Sequence, residues 1–327
     1  MLRGFRNLLG LALLFFSLAG FGQELYPLNE PASTVPKNVL GIRVMSQNHR
    51  EVNINRSLEM FRIMYGLTAK LSVMATASVS NHHNRTLPAD LITHSHTGNQ
   101  TNYFTNNIQR GKSYPFLFNG VYLFAKYRFL TLDNQNQHIR MAAYADWSNS
   151  KSAHDEAEPN LMDDNAGYGA GLIATWLKNR FAASVTWGFI KPKDYTENQP
   201  DVSGGPDLPT RIIYGDAQRL NLSLGYRLLP NHYTSYDQPN WNIYLEFMGK
   251  KYGAAEVIQN GTKITTRTAA LTSGAYLEVH PGIQYIVKSN FRIDFSAGFE
   301  LTGHSYVHTT PVWTLAMQQY IFRNRKD

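Results

Sequence analysis

The chain contains no cysteine, so neither disulfide staples nor a lipidated N-terminal cysteine holds it to anything. Beyond residue 18 there is no apolar run near the ~20 residues that a membrane-crossing helix needs. Mean hydropathy is −0.34, so any passage through a bilayer has to be made by strands. Lys and Arg number 31 against 24 for Asp and Glu, but the positive residues are scattered and form no basic run interleaved with aromatics. A nucleic-acid partner is therefore not expected. The glycine-containing pieces "GAGLIAT" and "SGG" precede no helical pattern, so no phosphate loop and no nucleotide cofactor is read from them.

The strong apolar stretch is at the N-terminus. Arg3 and Arg6 precede a run from Leu8 to Leu18, and Gly20 and Gly22 flank Phe21. This is the order of a secretory signal peptide over residues 1–22, with cleavage after Gly22. Residues 23–37 then read as an extended N-terminal segment on the periplasmic side. Its Pro-rich part, "ELYPLNEPASTVPK", fits either a plug or a tether. Residues 38–327 form the main domain.

Within that domain the stretch "HIRMAAYADWS" (138–148) alternates. Ile139, Met141, Ala143, Ala145 and Trp147 lie on one side, with Arg140, Tyr144 and Asp146 on the other. Twelve segments of strand composition occur near 38–47, 58–66, 70–80, 116–129, 138–149, 165–177, 180–191, 213–228, 241–251, 273–287, 291–302 and 311–322. A tilted strand of 9–11 residues crosses a bilayer. Short polar links, such as "GLTAK", "LDNQNQ", "LKNR" and "KSNF", alternate with longer ones. The longer ones start at His49, Asn81, Lys151, Pro192, Gly253 and Gly303. That parity is expected of a transmembrane antiparallel up-and-down β-barrel with short periplasmic turns, longer extracellular loops and both termini in the periplasm.

A charge on the lipid face at mid-bilayer costs about 2–4 kcal/mol, so the charged face belongs in the lumen. On the first strands this places Arg43, Arg62, Lys126 and Arg128 inside, followed by Arg140 and Asp146. Further along, Arg219, Arg227, Glu246 and Lys250 are inward, then Glu278, His280, Arg292, Asp294 and Glu300. Trp147, Trp187 and Trp313 fall at extracellular strand ends, Trp176 and Trp241 at periplasmic ends, as interfacial girdles require.

The pieces "MYGLTAKLSVMATASVSNHH" (64–83), "NGVYLFAKYRF" (119–129), "AHDEAEPNLMDD" (153–164) and "EVHPGIQYI" (278–286) resemble transporter-like outer-membrane β-barrels of Gram-negative bacteria. They are similar to the barrels of the phenol meta-degradation pathway group. The resemblance implies transport and brings no catalytic residue with it.

Three functional readings follow. The first is a passive channel for a small solute, with outer-membrane lipid and lipopolysaccharide as surroundings and a weak preference for anions set by the inward cations. The second is a closed barrel whose His-rich loops bind a transition-metal ion or a partner. His82, His83, His94 and His96 in the longest loop are the candidate ligands, near the acidic "HDEAEP", Asp163 and Asp164. The third is a barrel enzyme, and it is not expected. No His has a Ser two positions on, as a barrel phospholipase would, and His154 with Asp155 is the nearest match to a rim protease pair. Whether the lumen is open or plugged is left undecided by the residues.

Overall fold

The computed structural model describes residues 26–51, 54–82, 114–152, 156–199, 205–232, 235, 237–264 and 271–322. Strand composition becomes strand wherever a neighbour supplies the ladder. Sixteen strands form among the described residues. Twelve of them close a barrel: β1 (Val39–Glu51), β2 (Ile54–Gly66), β3 (Leu71–Ser80), β4 (Leu117–Asp133), β5 (Gln137–Ser148), β6 (Gly167–Lys178), β7 (Phe181–Pro192), β10 (Ala217–Leu229), β11 (Asn240–Tyr252), β14 (Gly274–Val287), β15 (Phe291–Thr302) and β16 (Val312–Phe322). Each barrel strand is antiparallel to its neighbours, and the seam is sealed by β1 on β16 from Val39↔Phe322 to Asn48↔Trp313. A closed barrel leaves no backbone edge unpaired, which strands in lipid require.

Tight links gather at one end, called here the turn end. Asn179, Lys288 and Ser289 take positive φ of 54°, 50° and 52° in two of these turns, the left-handed conformation that tight hairpin turns require and that Asn tolerates best of the three. The opposite, loop end differs from the sequence reading in two places. The link from His49 is no loop: β1 and β2 pair up to Glu51↔Ile54, and Arg56 donates to Glu51 at 2.5 Å. Polar residues there mark a hairpin that stands clear of lipid, and polarity alone does not distinguish such a strand from a loop. The long links after Pro192 and after Gly253 also carry strands. β8 (Tyr195–Gln199), β9 (Leu208–Ile213), β12 (Glu256–Gln259) and β13 (Thr262–Ile264) make a second sheet in the order β13-β12-β9-β8, packed on Ile212, Tyr214, Val257 and Leu271.

The outer wall is apolar. Phe61, Leu123, Leu222, Leu245, Phe295 and Leu315 are exposed around it, as are all five Trp. Trp147, Trp176, Trp241 and Trp313 stand near strand ends, whereas Trp187, expected at an extracellular end, lies in the middle of β7. Trp241 lies 4.5 Å from Tyr285, and Trp313 5.9 Å from Phe295, ring to ring. Such a belt in water would be an aggregation surface. Around a closed barrel it is the lipid face. Leu222 sits mid-strand opposite Phe247 and Val185, so Leu222→Arg is expected to destabilise the barrel by about 2–4 kcal/mol. Urea unfolding in lipid vesicles reads this directly.

The interior is less polar than a wet lumen would be. Tyr122, Phe124, Tyr144 and Ile173 point inward and are buried, with Phe124 and Tyr144 stacked at 5.1 Å. Room for the Tyr144 ring comes from Gly171 and Gly188 on the facing strands. A Cβ at Gly188 would lie 1.8 Å from the Tyr144 hydroxyl, so no larger residue fits there without displacing the ring.

Candidate functional site: a lumen filled from both ends

The segment that precedes β1 lies inside the barrel. Tyr26, Asn29, Ala32, Ser33, Thr34 and Val35 are buried. Pro27, Pro31 and Pro36 carry no backbone N–H, so the extended strip has fewer donors to satisfy than an ordinary chain would. The wall accepts from the amides of Leu28, Asn29 and Ala32. Glu246 on β11 accepts from the amides of Leu28 and Asn29 at 2.9 and 3.0 Å, from Asn29 Nδ2 at 3.0 Å and from Ser223 Oγ at 3.0 Å. Asn221 donates to Asn29 Oδ1 at 2.7 Å, and Ala32 N–H donates to Thr175 Oγ1 at 2.8 Å.

On the opposite wall Glu30 lies between Arg62 (3.1 Å) and Lys126 (3.2 Å). Lys126 also donates to the Pro31 carbonyl at 2.6 Å, Arg140 to Ser33 Oγ at 3.0 Å, and Arg43 to the Pro27 carbonyl. The strip thus crosses the lumen from β11 to β4. It leaves at the turn end across Gly66, where an added Cβ would lie 2.0 Å from the Pro36 carbonyl. The described part of the N-terminal segment is therefore a plug in the lumen, not an extension outside it. The inward donors and acceptors that mark the wall as polar are what hold it there.

The second filling comes from the loop end. The loop between β5 and β6 turns inward, burying Glu156, Ala157, Glu158, Leu161, Asp163, Asp164 and Asn165. Its turn is fixed by the amides of Asp163, Asp164 and Asn165, which all donate to the Asn160 carbonyl at 3.3, 2.9 and 3.0 Å. Glu158 is its anchor, accepting from Lys250 at 2.9 Å, Tyr276 Oη at 2.8 Å, Ser305 Oγ at 2.9 Å and the Tyr306 amide at 3.0 Å. Burial works against the Glu158 charge, but Lys250, then His308 and these hydrogen bonds, hold its pKa below the usual carboxylate value.

A cavity of about 200 Å³ lies next to this loop, lined among others by His49, His82, Arg219, Lys250, Glu278 and His308. This is smaller than the ~300–1,000 Å³ of an ordinary ligand pocket. It suits water and a small solute.

Of the inward charges read from the sequence, Arg43, Arg62, Lys126, Asp146, Glu246, Glu278, His280, Arg292 and Asp294 are buried inside. Arg128, Arg140, Arg219, Arg227, Lys250 and Glu300 are partly exposed. Many are paired: Arg43 with Asp294 at 3.0 Å, Arg219 with Asp146 at 2.5 Å, Arg140 with Asp133 at 3.0 Å, and Glu300 with His304 at 2.5 Å. The excess of cations is thus largely matched by carboxylates from the wall, from the plug and from the inward loop.

The candidate metal ligands fare differently. His82 is buried beside Asp163, Nδ1 to Oδ2 3.5 Å, whereas His83, His94 and His96 lie outside the described residues. What sequence reading missed is His49, whose ring stands edge-on to His82 at 5.2 Å and lies 6.0 Å from His308. Its odd-numbered, inward phase on β1 was the available signal. It was obscured because residue 49 was read as the start of a loop.

The His308 imidazole, in the link between β15 and β16, donates through Nε2 to Glu278 at 2.6 Å. Burial opposes its charge; Glu278 outweighs that, Glu158 adds to it and Lys250 subtracts, leaving its pKa above the ordinary 6.5. A raised folded value means that this tether contributes fully below pH 6.5 and is lost as pH rises through the folded value. Hydrogen exchange of residues 303–311 is therefore expected to speed up on the alkaline side of pH 6.5 beyond the intrinsic base-catalysed increase, and His308→Gln is expected to remove that pH dependence.

As a class, the molecule is a transmembrane twelve-stranded β-barrel of the outer-membrane type. Its fold is shared with an outer membrane channel from Pseudomonas putida F1, which is 12% identical, with 91% of this chain and 100% of that chain covered and a TM-score of 0.56. The NanC porin is 10% identical with 87% and 100% covered and a TM-score of 0.43. The outer membrane protein OprD from Pseudomonas aeruginosa is 11% identical with 93% and 95% covered and a TM-score of 0.33. No protein-family model and no curated protein matches the chain.

Proposed function

We propose that this protein is a passive channel for small solutes in the outer membrane of a Gram-negative bacterium, with its turn end and both termini in the periplasm, and that the filled lumen is its closed state. The observation that carries the reading is how the lumen is filled. Plug and inward loop are attached to the wall by side-chain hydrogen bonds and ion pairs, not by ladders of the barrel sheet, so they are separable from the barrel that holds them. A barrel needing only structural closure would do better with apolar packing, since buried ion pairs contribute little net stability. The fold shared with a protein described as an outer membrane channel supports the same reading.

No cofactor is required, and no residue is assigned a catalytic role. The path runs past His49 and Lys250 at the loop end and past Arg43 and Arg62 at the turn end. Planar-bilayer recording of the refolded chain from residue 23, together with swelling of vesicles in small neutral solutes, tests the proposal. Brief, small steps are expected from the intact chain. A heat-modifiable, folded barrel that stays silent even when the plug segment is removed would overturn it.

A further inference from the structure

His82, at the root of the loop after β3, meets Asp163 and Asp164 of the inward loop. All three are buried, and one ligating atom from each lies within 4.8 Å of the others. We infer that His82, Asp163 and Asp164 form a binding site for a divalent transition-metal ion of the zinc class, with His49 as the adjoining fourth donor.

The chemistry of the donor set supports this. One imidazole and two carboxylates suit Zn²⁺ and its neighbours, whereas Mg²⁺ and Ca²⁺ take oxygen ligands throughout. The geometry is close to what is needed. Bonds of about 2.0–2.1 Å place tetrahedral ligand atoms roughly 3.4 Å apart, so an approach of an ångström or so completes the shell, and His82 Nδ1 with Asp163 Oδ2 is already at 3.5 Å.

The ligands are also pre-oriented. Asn119 donates to Asp163 Oδ1 at 2.8 Å, Ser150 Oγ donates to the Asp163 carbonyl at 3.1 Å, and the turn on Asn160 fixes Asp163 beside Asp164. Partners of this kind orient ligands in metal sites generally. Access is provided, because His49, His82 and Asp163 all border the 200 Å³ cavity, which has room for a water as a further ligand.

A bound ion would tie the root of the β3–β4 loop to the inward loop and so hold the loop-end constriction shut. That last step rests on the channel reading. The site itself does not, and its test uses no current.

Zn²⁺ binding is measured by calorimetry on the refolded barrel in micelles, with heat-modifiable migration as the check of folding. One equivalent is expected to bind, weakened at least tenfold by His82→Ala and by Asp163→Asn with Asp164→Asn. His304→Ala, at a rim pair away from the cluster, should leave it unchanged, as should Ala at His83, His94 and His96. Undiminished binding in the first two variants, or loss confined to the last, overturns the assignment. Should the variants not fold, zinc-edge X-ray absorption on the unaltered chain decides the matter. One or two imidazoles with oxygen donors support the site; three or more imidazoles, or no saturable zinc, refute it.

Discussion

Deleting residues 24–35 is expected to convert brief, small current steps into a steady conductance several-fold larger, with selectivity moved toward anions. Both effects have one origin. The segment is the material that crosses the lumen between β11 and β4, and it carries Glu30, the carboxylate paired with Arg62 and Lys126. Without it those two cations face an open path, and fixed charges along a pore bias the ions that pass; Arg140 loses Ser33 but keeps Asp133. Arg43 contributes less, because Asp294 stays beside it. Glu246→Ala is the milder version. It leaves the amides of Leu28 and Asn29, Asn29 Nδ2 and the Ser223 hydroxyl without their shared acceptor, at about 1–3 kcal/mol for each donor left unmet. It should loosen the segment without removing it, giving long openings between closures. Reversal potential in a salt gradient and the open-state current are the two readouts. Unchanged values in the deletion would show that the barrier is elsewhere.

The second large effect is expected at the other end. In Glu158→Ala, Lys250, Tyr276, Ser305 and the Tyr306 amide all lose one carboxylate, and Lys250 is left as a charge without it. Breaking a buried ion pair from one side costs about 3–5 kcal/mol. Lys250 is partly exposed and keeps the Pro159 carbonyl, so the cost here lies at the lower end, and it falls on the best-connected of the contacts that keep the β5–β6 loop inside. The loop is expected to swing out. Protease cleavage between residues 151 and 165 should become fast in the intact, folded barrel, and loop-end access of a bulky thiol reagent to an introduced cysteine at Asn221 should rise several-fold. The double change Glu158→Gln with Lys250→Met should restore much of the protection, since it removes the uncompensated charge along with the pair. Equal cleavage in wild type and Glu158→Ala would show that Glu158 does not hold the loop.

The barrel was legible because lipid and lumen impose opposite demands on alternate residues. Leu222 and Ser223, or Phe295 and Asp294, declare their faces by type alone, and four of the five Trp then mark strand ends, Trp187 falling in the middle of β7. What the period of two does not contain is the identity of the lumen's contents. Glu246 and Glu30 read as two unrelated acids 216 residues apart; only the closed barrel brings Glu246 to the amides of Leu28 and Asn29. For the same reason the apolar Ile173 sits on the inward face of β6, where it is one of the residues that line a filled interior. The small sheet of β8, β9, β12 and β13 was missed because its strands are three to six residues long, too short for alternation to show. In the candidate site, His82, Asp163 and Asp164 were visible as residue types, but their meeting depends on a loop folding inward, which local sequence does not specify.

The plug is joined to its own receptor. Lys37 bridges to Gly66 and Asn38 donates to the Gly66 carbonyl at 2.8 Å, directly before β1 begins at Val39. A segment on so short a leash meets its binding groups at an effective concentration on the order of millimolar or more. Release is therefore an intramolecular event that reverses without any partner to bring the segment back, and the fraction of time spent open is a constant of the molecule, independent of how much of it the membrane holds. A free peptide of the same sequence would have to be supplied at comparable concentration to close a barrel from which the segment had been cut.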